Sequence, residues 1–184
     1  VGLNIVVIMA GGSGSRLRNP EKHLLKIGDK TIIEYLIETL KNIFKSIVVL
    51  TSVRHRRLIE LLRKYEYVDI IVMSGVDYCI DMCMCINTII RKPILIVNGD
   101  CVIINFEKFI KALEYALKIS NYNIVTLCYV DGSVSNVSLV YADRCIFGKE
   151  LSWTSLPIFD LNDIIDIDTL DDYVKVVSLF SKSL

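Results

Sequence analysis

Ile5-Val6-Val7-Ile8-Met9-Ala10-Gly11-Gly12-Ser13-Gly14-Ser15-Arg16-Leu17-Arg18-Asn19-Pro20-Glu21-Lys22-His23-Leu24-Leu25 runs from an unbroken apolar segment into a glycine-rich loop flanked by cations. Apolar runs of this kind, bounded by glycine, read as strands buried on both faces, the mark of a parallel sheet. Glycines at 11, 12 and 14 let the backbone turn tightly and bring N–H donors close to anionic oxygens, because no Cβ keeps the ligand away. Arg16 adds a planar fork and Lys22 a point charge. The loop therefore reads as a phosphate site suited to a triphosphate, with Ala10, Gly11, Gly12, Ser13, Gly14, Ser15, Arg16 and Lys22 as its candidate residues. Without the cations, the glycines alone read equally well as a tight strand-to-loop connection.

Two better-known phosphate loops fail against the same residues. No Gly-Lys-Ser or Gly-Lys-Thr occurs in the chain, so there is no P-loop. The dinucleotide fingerprint needs glycine where Leu17 stands, and Pro20 argues against a helix running straight out of the loop.

Outward from the loop, strand and helix patterns alternate. Strands are predicted over 5–9, 46–51, 69–73, 93–97 and 123–129, and helices over 31–42, 54–65, 77–90 and 106–119. Asn105 is placed to cap the fourth helix, and Thr169 with Asp172 forms a Thr-x-x-Asp box before a last helix over 173–180. This alternation predicts an α/β fold, a Rossmann-like, mainly parallel twisted sheet with helices on both faces. A single domain spanning 1–184 is expected. Residues 131–161, with Gly132, Gly148, Trp153 and Pro157, have a poorer pattern. They are expected to leave the main sheet as a small acceptor-side appendage.

Lys plus Arg and Asp plus Glu are equal at 21 each, so no global basic field marks a nucleic-acid binder. No apolar run approaches the ~20 residues of a membrane span. The start lacks the pattern of a signal peptide, and a soluble, cytoplasmic protein is expected. Six cysteines form no Cys-x-x-Cys pair. Cys79, Cys83 and Cys85 are expected to be reduced, buried, small apolar side chains rather than metal thiolates.

Ligands of open α/β sheets gather at the carboxyl ends of the strands. Ile94-Leu95-Ile96-Val97-Asn98-Gly99-Asp100 ends at such an acid, where a carboxylate suits Mg²⁺ held against phosphates; a turn acid after Gly99 is the other reading. A second acidic cluster follows at Asp163, Asp166, Asp168, Asp171 and Asp172. Asp171 and Asp172 are assigned to capping. For Asp168, metal binding and simple favour by a helix dipole both stay open. Gly75 is also explained by a turn, Asp81 by a solvated helix face, and His23 by a surface position.

The Ala-Gly-Gly-x-Gly-x-Arg loop followed by Lys22 and an apolar pair resembles the signature of the nucleotidyltransferases of the nucleotide-diphospho-sugar transferase type. The whole chain is most similar to the short members of the molybdenum-cofactor guanylyltransferase type, and within them to the archaeal-type adenosylcobinamide-phosphate guanylyltransferases. Ser74-Gly75-Val76-Asp77-Tyr78-Cys79-Ile80-Asp81-Met82 and the closing Asp166-Ile167-Asp168-Thr169-Leu170-Asp171-Asp172 carry the rest of the likeness. Sugar-1-phosphate nucleotidyltransferases share the loop but usually need a longer chain. The resemblance implies transfer of GMP from GTP to a phosphorylated acceptor with release of pyrophosphate. It implies catalytic roles for Arg16, Lys22 and Asp100, nucleotide contacts from Ser74, Gly75 and Asp81, and Mg²⁺ on Asp100 and Asp168. Its partners are then the small molecules GTP and a phosphorylated acceptor, with no nucleic acid. Molybdopterin or a sugar phosphate as acceptor, and a non-catalytic nucleotide-binding module, are the alternatives.

Overall fold

The structure, a computed structural model, describes residues 3–12, 17 and 19–181. The candidate residues Ser13, Gly14, Ser15 and Arg16 lie outside the described residues. A seven-stranded sheet organises the chain, in the order β10-β8-β9-β6-β1-β4-β5. Its strands are β1 (Ile5–Met9), β4 (Ser46–Ser52), β5 (Val68–Met73), β6 (Ile94–Asn98), β8 (Ile124–Tyr129), β9 (Val134–Val140) and β10 (Trp153–Phe159). Strands β6, β1, β4 and β5 pair in parallel, as do β8 and β10, while β9 runs antiparallel between β6 and β8. Two small ribbons complete the strands. They are β2 (Lys26–Ile27) with β3 (Lys30–Thr31), and β7 (Cys101–Ile103) with β11 (Ile164–Asp166).

Period-two alternation explains why both faces are covered. Val6 and Ile8 of β1, Ile47 and Val49 of β4, and Leu95 and Val97 of β6 join one core with α1 (Ile32–Leu40), α2 (Arg56–Leu62) and α4 (Phe106–Ala116). Val7 and Met9, Val48 and Leu50, and Ile94 and Ile96 face the other side, where α3 (Tyr78–Thr88) supplies Cys85 and Ile86. Helix starts follow their caps. A capping box between Thr31 and Glu34 begins α1, Asp77 caps α3, Asn105 caps α4, and Thr169 with Asp172 opens α5 (Leu170–Ser181).

Three expectations are corrected. Residues 131–161 do not leave the main sheet: β9 and β10 occupy one interior and one edge position in it, because hairpin return of β9 closes ladder bonds on both β8 and β6. Cys83 is not a reduced thiol. It bridges to Cys145, 62 residues on, with Cα atoms 5.1 Å apart. The Asn87 side chain clamps the same point, donating to the Cys145 carbonyl at 2.8 Å and accepting from its N–H at 2.9 Å. A contact between α3 and the loop before β10 is tertiary, and local cysteine spacing does not encode it. Cys79 is exposed, so of Cys79, Cys83 and Cys85 one, Cys85, is the buried free thiol expected. Among the described residues no helix is long and apolar enough to cross a membrane.

The turn from β5 into α3 depends on Gly75, which has φ +63°. A Cβ there would lie 2.5 Å from Ser52 Cβ. Gly75→Ala is expected to destabilise the fold by about 1–3 kcal/mol, since the left-handed backbone and the clash both oppose it. Urea denaturation checks this, and an unchanged midpoint contradicts it.

Candidate active site

The carboxyl ends of β1, β4, β5 and β6 open into a cavity of about 480 Å³. Gly11 and Gly12 continue β1 into its rim, Thr51 closes β4, the Gly75–Asp81 turn follows β5, and Asn98 and Asp100 follow β6. Thr51 Oγ1 donates to the Ala10 carbonyl at 3.1 Å and so fixes the base of the glycine loop. Gly99 makes room for the same loop, because a Cβ there would sit 3.0 Å from Ala10 Cβ.

Lys22 lies on the floor. It belongs to a single 3₁₀ turn, Lys22–Leu24, and is 8% exposed. Its ammonium pairs with Asp100, donates to Asp168 Oδ1 at 3.0 Å and donates to the Ile167 carbonyl at 3.1 Å. Burial works against the charge, but Asp100 and then Asp168 outweigh it and hold the ammonium above its ordinary range.

Asp166 completes the group, although the sequence-level reading gave it no role. Its Oδ2 accepts from Asn136 Nδ2 at 2.5 Å and its Oδ1 from the Cys101 thiol at 3.6 Å. Burial first, then the Asp100 charge, pushes its carboxyl up to about 8. Ligand atoms of Asp100, Cys101 and Asp166 all lie within 4.8 Å of one another. Burial pushes the Cys101 thiol well above its usual range, so it is a neutral donor here and the anionic donors are oxygens. Such a hard-oxygen set fits Mg²⁺ rather than zinc. Asp168, expected as the second ligand, stands beside this pair and accepts from Lys22.

Asn136 reaches Asp166 through an irregularity in β9. Between the pairs Leu127–Val137 and Cys128–Val134, β9 carries two extra residues, Ser135 and Asn136. Asn136 takes φ +58°, while buried Ser135 donates to the Leu127 carbonyl at 2.6 Å. Bulges re-aim side chains in this way.

Other expected residues settle differently. Asp81 is buried, not on a solvated face; it accepts from Ser74 Oγ at 2.9 Å and Gly75 N–H at 3.0 Å, tying the β5–α3 turn together. His23 is buried rather than on the surface, since its turn packs under Gly99. Burial holds its imidazole down at about 4, so it is neutral at pH 7. Asp172 accepts from Thr169 N–H at 2.8 Å, as its capping assignment requires. Arg54, two residues before α2, lines the cavity and was missed for want of a motif. Asp166 had a signal: Asp166 and Asp168 alternate with the buried Ile165 and Ile167 from the end of β11 onward. Asn136 had none, because a bulge leaves no local pattern.

The profile of the MobA-like NTP transferase domain matches residues 6–152. The adenosylcobinamide-phosphate guanylyltransferase of Methanocaldococcus jannaschii is 26% identical over 193 residues, covering 96% of this chain and 97% of that protein. HddC from Yersinia pseudotuberculosis superposes with a TM-score of 0.74 at 18% identity, over 97% of this chain and 100% of that one; it is also known complexed with GMP-PN. The inositol-1-phosphate CTP transferase of T. maritima gives 0.70 at 15% identity, over 99% and 96%. These structures establish the nucleotide-diphospho-sugar transferase fold.

Without metal, folded Asp166 keeps its proton up to about pH 8, whereas an unfolded aspartate releases it near ~3.9. The native state therefore binds more protons between these values, and this group's contribution to stability is lost as pH rises through the window. His23 has the opposite sign between about 4 and 6.5, so the comparison needs Asp166→Asn. In EDTA, wild type is expected to lose stability relative to Asp166→Asn from about pH 5 to about pH 8, measured by urea midpoints. A constant difference across that range contradicts the assignment.

Proposed function

This chain belongs to the MobA-like NTP transferase domain family, and from that membership we propose that it moves GMP from GTP to a phosphorylated acceptor, with adenosylcobinamide phosphate as that acceptor. The observation that carries the reading is the buried contact of Lys22 with Asp100 and Asp168, beside Asp166, on the floor of the cavity rimmed by the glycine loop. Lys22 is one ammonium set against the carboxylates of Asp100 and Asp168, with Asp166 beside them, and a divalent cation would balance such a carboxylate excess and displace the proton that metal-free Asp166 holds. Asp100 and Asp166, with Asp168 next to them, would hold Mg²⁺; when bound, it neutralises phosphate charge and orients the reacting groups.

The chain's own residues supply the rest. Backbone N–H groups of the glycine loop bind the triphosphate, and Lys22 and Arg16 offset charge growing on the leaving group. An oxygen of the acceptor phosphate attacks the α-phosphorus, a P–O–P bond forms to the acceptor, and the α–β bridge breaks to release pyrophosphate. No general base is needed, because the acceptor phosphate is already anionic near neutral pH. Gly75 and Asp81 line the cavity, with Ser74 hydrogen-bonded to Asp81 behind them, and the base would lie against them. Guanine offers N1–H and N2–H₂ donors to a carboxylate or carbonyl there, which supports GTP as the donor. Coverage of 97% of the archaeal guanylyltransferase supports the acceptor.

Pyrophosphate release from GTP, ATP, CTP and UTP, each with Mg²⁺, with and without adenosylcobinamide phosphate, tests the reading. GTP-selective, acceptor-dependent release is expected, with Lys22→Met and Asp100→Asn each slowing turnover by about a hundredfold or more. Equal use of the four nucleotides refutes the guanylyl assignment. Turnover only with molybdopterin or a sugar phosphate reassigns the acceptor, and GTP binding without any turnover makes the protein a binding module.

A further inference from the structure

Helix α3 walls the cavity on a small apolar footing. Its buried residues are Asp81, Cys83, Cys85 and Ile86, one of them a carboxylate, whereas α1 buries Ile32, Ile33, Leu36, Ile37 and Leu40. Tyr78 and Asp81 line the cavity, and Tyr78 and Met82 line a neighbouring chamber of about 380 Å³. The position of α3 therefore shapes both spaces.

Helicity and position are secured separately. Asp77 caps the start of α3, and at its end the Lys92 ammonium donates to the Ile86 and Ile89 carbonyls at 2.8 and 2.5 Å. Those contacts close on the helix itself. What ties α3 to its surroundings is Asp81 on the Ser74–Gly75 turn and, one turn on, the Cys83–Cys145 bridge.

The two sulfurs of that bridge have unequal surroundings. Cys83 is 7% exposed, while Cys145 is partly buried in a stretch, 143–150, that belongs to no strand or helix and whose other residues are all exposed. Segments of this kind open locally at small cost, which admits a small thiolate to Cys145 Sγ. Asn87 lies one turn after Cys83 on the same helix face and grips the Cys145 backbone through both its N–H and its carbonyl. With the bridge open, this clamp keeps the two thiols adjacent, so closure is intramolecular and favoured over capture by other thiols. Both hydrogen bonds are exposed and compete with water, so the clamp sets the register without replacing the covalent tie.

We infer that Cys83–Cys145 is a reversible thiol–disulfide latch on the nucleotide wall. Closed, it holds α3 against the loop before β10; opened by a small thiol, it frees α3 and weakens nucleotide binding. A thiolate attacks Cys145 Sγ and expels Cys83 as a thiolate, which takes up a proton. A second small thiol then displaces Cys145 from the mixed disulfide, leaving two protein thiols and one small-molecule disulfide, a two-electron exchange. The choice of GTP as ligand rests on the nucleotidyl-transfer reading above, and the latch itself does not.

Thiol titration of native protein, quenched in denaturant, is expected to find four thiols per chain among the six cysteines in glutathione disulfide and six in excess glutathione. Opening is expected to raise hydrogen exchange across 78–88 with far-UV circular dichroism unchanged, and to raise the Kd for GTP about tenfold, both reversed on closure. Cys145→Ser is expected to show the open-state values in either buffer, and Cys79→Ser to respond as wild type does. A bridge that yields to glutathione only after denaturation is a structural staple and overturns the latch. Six thiols in glutathione disulfide, or equal exchange across 78–88 in both buffers, overturns it as well. Equal GTP affinity in the two states removes its link to the nucleotide. Exchange that follows the buffer while GTP binds in neither state upholds the latch and removes the nucleotidyl-transfer reading.

Discussion

The close approach of carboxyl groups at one end of the sheet is the constraint on which the rest of the site depends. Asp100 and Asp166 are brought together from segments far apart in sequence, at the tips of the β6–β7 turn and of β11. Burial and the neighbouring Asp100 push the Asp166 carboxyl up to about 8, while Lys22 pairs with Asp100. The surrounding structure is arranged around that tension. The 3₁₀ turn buries Lys22 under Gly99, the β9 bulge sends Asn136 to Asp166, and the capping box at Thr169 ends the acidic segment in a helix rather than a loop.

The mixed sheet sets the geometry of this meeting. Parallel β1, β4, β5 and β6 deliver the start of the glycine loop and the turn at Gly75 to a single edge, as their strand direction requires. Antiparallel β9 brings its beginning to that same edge, and with it Asn136 and Val134. One strand reversal thus places a second chamber against the first. The two chambers share Tyr78, Asn98 and Asn136 but differ in the charge of their linings.

The central part of the fold was legible because its signals are local. Apolar strands ending in glycine, a loop with Lys22 following it, and the caps at Asn105 and Thr169 are all written in neighbouring residues. Asp100 was legible for the same reason. Asp166 was half legible, through the alternation of Asp166 and Asp168 with Ile165 and Ile167. What stayed hidden is tertiary: the Cys83–Cys145 bridge, the bulge that aims Asn136, the burial of His23 and Asp81, and the return of β9 and β10 to the main sheet. None of these has a period or a spacing to betray it.

A crystal structure with a non-hydrolysable GTP analogue and Mn²⁺, read by anomalous scattering, tests the central claim most directly. The account predicts a manganese peak within coordination distance of Asp100 and Asp166, next to the α-phosphate, with the triphosphate under the glycine loop. A bound nucleotide whose manganese touches neither carboxylate would contradict it.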